Sequence, residues 1–160
     1  MKILAFNDLL SMKKSLKKPS EGDVFVLQPK KNIFYFGKVI QTNLKSVDSF
    51  VNGMSLIYIY KHCSMDKIIP HNLEDSGLLI APVIVNNQPW KKGYFETIGN
   101  IDVSASDKNI NFAFWDVLKE DYIDIKGDIV KDKPQYWSIY GLGSYGVVGK
   151  EVQKAIKKNI

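Results

Sequence analysis

The sequence predicts an α+β fold: a bent, mainly antiparallel β-sheet or half-barrel, with one helix at its N-terminal end and another at its C-terminal end. Three observations predict it. Between residues 21 and 140 the apolar residues come in strand-length runs separated by Gly, Asn, Asp and Pro. The two segments that read as helices, with apolar residues three and four apart, lie near the two ends. No helical pattern separates successive strands, which argues against a parallel βαβ architecture. At 160 residues the chain fits one domain, divided into a basic N-terminal helical segment (1–19), a β-rich body (20–146) and a C-terminal helix (147–158). A chain of that size buries roughly two-thirds of its unfolded surface and needs no disulfide or metal staple.

The elements follow in order. Ile3 to Phe6 reads as a short strand. Asn7 or Asp8 can then cap a helix through Leu9, Leu10, Met12 and Leu16, which Pro19 ends. Val24 to Leu27 and Ile33 to Ile40 read as two strands joined by the turn Pro29–Asn32, a β-hairpin. Asn52 and Gly53 mark another turn, followed by a strand from Met54 to Tyr60. In it Met54, Leu56, Tyr58 and Tyr60 alternate with Ser55, Ile57 and Ile59. Residues 61–77 read as a polar surface loop. Leu78 to Val85 has strand length but contains Pro82, which places it at a sheet edge or a bulge. Tyr94 to Ile98, Ile110 to Trp115, Tyr122 to Val130 (interrupted by Gly127) and Trp137 to Tyr140 complete the strands. In the last helix Val148, Val152, Ala155 and Ile156 share a face, with lysines in the last turn where the helix dipole favours them.

Charge and composition bound the function. The net charge is +5, but residues 1–20 carry +4 and residues 149–160 carry +3, leaving −2 on the body between them. All 22 basic residues are lysine. Arginine, whose planar fork grips phosphate and guanine, is absent, which argues against specific nucleic-acid recognition. The alternative, a small nucleic-acid-associated β-barrel, rests on the pI near 9.1 and the many aromatics. Cys63 is the only cysteine, which suits a reducing compartment, and the N-terminal sequence does not read as an export signal, so a cytoplasmic protein is expected. No apolar run reaches the ~18 residues of a membrane span.

Three constellations invite chemistry. Gly141, Gly143 and Gly146 spell G-x-G-x-x-G, yet no second strand or acidic residue follows at dinucleotide-fold spacing. A turn that lets the last helix pack closely is the better reading. His62, Cys63, Asp66, His71, Glu74 and Asp75 match no zinc signature. A Cys63–His71 nucleophile pair is conceivable through space, but adjacent strand residues face opposite ways and so deny His62 and Cys63 a shared site. Asp23, Asp48, Asp102, Asp116, Asp121 and Asp124 are scattered, with no pair singled out for acid–base work. Trp90, Trp115 and Trp137 suit either an exposed platform or, by default, the core. No signature is complete, so neither enzymatic activity, a cofactor nor a bound metal is expected.

Glu21, Gly22, Asp23, Val24 and Phe25, followed by Tyr35, Phe36, Gly37, Lys38 and Val39, resemble the immunity protein 26 family of bacterial polymorphic toxin systems. That family opens with a Gly-Asp-Val-Phe strand, a polar turn and an aromatic-x-Gly-x-Val strand. The resemblance extends more loosely through Ile57 to Tyr60, Trp90, Ile98, Gly99 and the C-terminal helix. It implies structural roles for Gly22, Asp23, Val24, Phe25, Gly37 and Val39. It also implies a cytoplasmic binding module, without catalysis or cofactor, that neutralises a cognate toxin stoichiometrically. Many such toxins are nucleases with basic grooves, which a mildly acidic body would complement. Nothing in it marks the partner-binding face or the oligomeric state.

Overall fold

The computed structural model describes residues 8–158 and places the chain in two sheets. The elements are β1 (Asp23–Lys30), β2 (Ile33–Gln41), β3 (Ser55–Ser64), a 3-10 turn (Leu73–Ser76), β4 (Val83–Val85), α1 (Gln88–Lys91), β5 (Glu96–Asn100), α2 (Ala105–Lys108), β6 (Phe112–Asp116), β7 (Asp121–Ile123), β8 (Tyr136–Ile139) and α3 (Tyr145–Lys158). The large sheet has the order β4-β3-β2-β1-β5 and is antiparallel throughout. The small sheet has the order β7-β6-β8, with β7 antiparallel and β8 parallel to β6. The α+β class and the mainly antiparallel pairing are those the sequence predicts. The large sheet is open, with β4 and β5 at its edges.

Strand periodicity divides the core in two. Val24, Val26, Phe34, Phe36, Leu56, Tyr58 and Tyr60 fill one cluster, which Phe114 and Ile123 of the small sheet complete. Their neighbours Phe25, Leu27, Val39, Ile57 and Ile59 fill the other, which Trp90, Phe95, Val148 and Val152 cover. Odd and even residues of β1, β2 and β3 thus go to opposite faces, and both faces are buried. That accounts for strands apolar on both sides. β4 lies at the edge and begins just after Pro82, so the missing amide donor costs no ladder bond.

The C-terminal helix begins two residues before the predicted Val147. Ser144 Oγ accepts from Val147 N–H at 3.1 Å and supplies the cap. The loop before it runs beside β4, where Leu142 bridges Ile84 and Gly143 N–H donates to Ile84 C=O at 2.7 Å.

The N-terminal helix is corrected. Residues 9–18 contain no helix. Their amides bond to distant carbonyls instead: Leu10 to Gln28 at 2.8 Å, Met12 to Gly93 at 2.7 Å and Ser15 to Trp90 at 3.1 Å. The helical stripe is not a buried face, since Leu9 is buried while Leu16 is 84% exposed. Ser11 and Ser15 also weaken local helix formation, because their hydroxyls compete for backbone partners. The predicted strand Ile3 to Phe6, and capping by Asn7, lie outside the described residues. A second correction is that β3 continues to Ser64, so the surface loop begins four residues later than predicted.

Candidate functional site

The six signature residues come together at one end of the β1–β2 ladder. Gly22 has φ +89°, donates its N–H to Val39 C=O at 2.8 Å and accepts from Ile101 N–H at 2.9 Å. Asp23 opens β1, and its carboxylate accepts from Ser20 N–H at 2.8 Å and Asn100 Nδ2 at 2.9 Å. Phe25 pairs with Gly37 across the ladder. The Phe25 ring lies where a Cβ on Gly37 would stand, and that Cβ would also come within 2.7 Å of Tyr58 O. Gly37 is therefore the floor on which the ring rests. The ring stacks on Phe95 with centroids 4.5 Å apart and meets Trp90 edge-on. Val24, Phe25 and Val39 are fully buried, so these residues build the frame and present nothing to a partner.

Beside them lies a buried ion pair. Lys38 Nζ donates to Asp107 Oδ2 at 2.8 Å, with both side chains essentially inaccessible. Tyr60 Oη donates to Asp107 Oδ1 at 2.6 Å and Tyr58 Oη to Asp107 C=O at 2.9 Å. Asp107 also closes a capping box with Ser104, so a single carboxylate caps α2 and pins it to the large sheet. A four-residue helix is marginal alone, and this anchor supplies what its length does not. Burial, then the Asp107 hydrogen bond, hold the Tyr60 hydroxyl far above its usual range; burial and the Asp107 charge do the same for Tyr58. Sequence reasoning does not pair Lys38 with Asp107, because 69 positions separate them. Two signals were available: a lysine inside an apolar strand, which demands a partner, and the Ser104-x-x-Asp107 cap.

His62 meets the Phe36 ring edge-on at 5.0 Å, while Cys63 is exposed opposite Tyr35 on the other side of β3. Burial, then the Cys63 neighbour, raises the Tyr35 hydroxyl. Among the described residues no group of three His, Cys, Asp or Glu is placed to hold a metal ion. Asp116 and Asp124 turn their carboxylates to nearby backbone amides, at Leu118, Lys119, Lys126 and Asp128. Asp48 accepts from Tyr140 Oη at 2.7 Å, and burial with that bond raises the Tyr140 hydroxyl.

The three tryptophans separate. Trp90 is core, 2% exposed, with Nε1 donating to Thr97 Oγ1 at 3.1 Å. Trp115 and Trp137 lie with Tyr122 on the small sheet, in edge-on contacts at 5.0 and 5.6 Å. Trp137 is 42% and Ile139 58% exposed. This row leads into a cleft of about 1090 Å³ between β8, the stretch 79–84 and α3. Its walls are mostly apolar, and Lys154, Lys157 and Lys158 stand at its α3 rim with Glu151. Lys154 reaches Glu151 at 3.6 Å, both side chains more than half exposed.

The cleft's inner hydroxyls are occupied: Tyr140 bonds to Asp48, and Ser138 Oγ donates to Pro82 C=O at 3.3 Å. A small-molecule or catalytic pocket needs convergent polar groups free to orient a ligand. An exposed Trp and Ile beside an apolar cleft instead match the anchors of protein–protein contact.

The chain belongs to the immunity protein 26 family, whose model matches residues 20–123, roughly two-thirds of its length. That span takes in the whole large sheet and stops before β8. Membership supports an immunity role and implies a toxin as partner. Comparison with curated proteins found no match, and comparison with solved structures found none either. No helix among the described residues is long and apolar enough to cross a membrane.

Proposed function

We propose that this chain is an immunity protein that neutralises a cognate bacterial toxin in the cytoplasm by direct stoichiometric binding, without a cofactor and without catalysis. Membership in the immunity protein 26 family over residues 20–123 carries the reading. The exposed aromatic row and the cleft beside it support it, because they offer apolar anchors and no unoccupied inner hydroxyl. A nuclease is the toxin class that the charge favours, since residues 21–148 carry a net −2 and nuclease grooves are basic.

The test is growth protection. Each toxin encoded beside this chain is expressed with and without it. The chain is expected to restore growth against one of them and to elute with that toxin at one-to-one stoichiometry. Unchanged sensitivity to every such toxin would overturn the reading. Retention of RNA or DNA at low salt, lost steeply as salt rises, would put a nucleic-acid module in its place.

A further inference from the structure

We infer that the cleft between β8 and α3 takes an extended segment of the toxin, which joins the small sheet as an added strand along the open edge of β8 and turns acidic side chains toward Lys157 and Lys158. This rests on the toxin-binding reading above and specifies its mode.

The backbone argument comes first. β8 is the outer strand of its sheet. Tyr136 N–H donates to Asn111 C=O at 3.2 Å and Tyr140 N–H to Trp115 C=O at 2.8 Å, so Tyr136, Ser138 and Tyr140 direct their amides at β6. By strand alternation, Trp137 and Ile139 direct theirs away from it. Four consecutive residues of this stretch, 137 to 140, line the cleft. A strand presenting a face would contribute every second residue, so the cleft is bordered by the strand's edge. With the inner hydroxyls occupied, the polar groups this wall offers are backbone amides and carbonyls, which recognise another backbone.

The side chains narrow the occupant. Trp137 and Ile139 stay exposed beside the edge, although natural sheets usually guard such edges with charge or proline. The four residues of β8 contain neither. At the opposite wall, α3 brings three lysines against Glu151 alone, and Lys157 and Lys158 stand exposed. The complementary ligand is an extended stretch with alternating apolar residues and acidic groups at one side.

The experiment uses the full chain and the toxin against which it protects. Amide hydrogen exchange at Trp137 and Ile139 is expected to slow in the complex, while amides of β1 and β2 stay as protected as in the free chain. Ile139→Pro removes an outward N–H without touching the β6 ladder. It is expected to keep the wild-type melting temperature and to weaken toxin binding roughly 30-fold or more. Should that variant fail to fold, the exposed double change Lys157→Glu and Lys158→Glu is read instead, with weaker binding expected most clearly at low salt. Wild-type affinity in the folded Ile139→Pro protein, or in the charge-reversed one, overturns the docking mode and leaves the immunity function standing. A β8-edge dimer of the chain alone that the toxin does not dissociate also overturns it. A toxin that does not bind the wild-type chain overturns both.

Discussion

Trp90 and Trp137 belong to the two sides of one molecule. Trp90 is 2% exposed, edge-on to Phe25 and Phe95, with its indole N–H bonded to Thr97. Trp137 is 42% exposed and meets Tyr122 on a sheet of three strands. The large sheet is buried on both faces and even encloses a charged pair; among the described residues no buried side-chain polar atom lacks a partner. The small sheet buries Phe114 and Ile123 on one face and leaves aromatic surface on the other. The same residue type is therefore enclosed in one region and left partly exposed in the other. Substitutions in the large sheet should act on folding, and substitutions at β8 on binding.

The largest effect is expected at Asp107. Asp107→Ala removes the acceptor for Lys38 and Tyr60 together and strands a lysine in the core. Breaking a buried pair from one side costs about 3–5 kcal/mol. Urea denaturation should show a lower midpoint with an unchanged slope. A loss below about 1 kcal/mol, the range of an exposed ion pair, would mean that the pair is solvated and the contrast between the sheets is weaker than drawn.

Tyr60→Phe is milder and can be read against pH. It removes one hydrogen bond to a charged acceptor, worth about 1.5–3 kcal/mol. The Tyr60 and Tyr58 hydroxyls are both raised above 10.0 in the folded chain, Tyr60 through burial and the Asp107 bond, Tyr58 through burial and the Asp107 charge. A raised acid keeps its proton when folded and releases it more readily when unfolded. The stability it contributes is complete below pH 10 and is lost as pH climbs beyond it. Wild-type stability should therefore fall through the alkaline range, and the fall should be shallower in Tyr60→Phe. Parallel pH curves for the two proteins would remove Tyr60 as the source.

Much of the frame was legible in the sequence because its signals are local. Asn32 and Gly53 both take positive φ in the turns predicted around them. The alternation of Leu56, Tyr58 and Tyr60 with Ile57 and Ile59 sorts them into separate clusters. Pro82 correctly placed its run at an edge. Non-local bonding defeated the rest. Leu9, Met12 and Leu16 have helical spacing, but the amides of Leu10, Met12 and Ser15 find carbonyls at Gln28, Gly93 and Trp90, which no window of neighbouring residues reveals. The parallel pairing of β8 with β6 and the Lys38–Asp107 bond are long-range in the same way. The signature residues Gly22 to Phe25, Gly37 and Val39 identify a frame. The candidate docking edge lies beyond the matched residues, in a short strand whose sequence reads like any other.

Trp137→Ala is expected to change stability least. The side chain is partly exposed and its ring contact is with Tyr122, so little apolar area returns to water when it is cut. A loss within about 1 kcal/mol is expected, against the roughly 3–5 kcal/mol usual for truncating a core tryptophan such as Trp90. Binding should reverse the order. An exposed tryptophan at the border of an apolar cleft is the residue type that dominates interface energies, and its removal should weaken toxin binding by roughly 30-fold or more. Calorimetric melting and titration of the same preparation measure the two quantities together. A Trp137→Ala protein that melts far below the wild type while binding normally would invert the comparison, making the small sheet part of the frame and moving the docking face elsewhere.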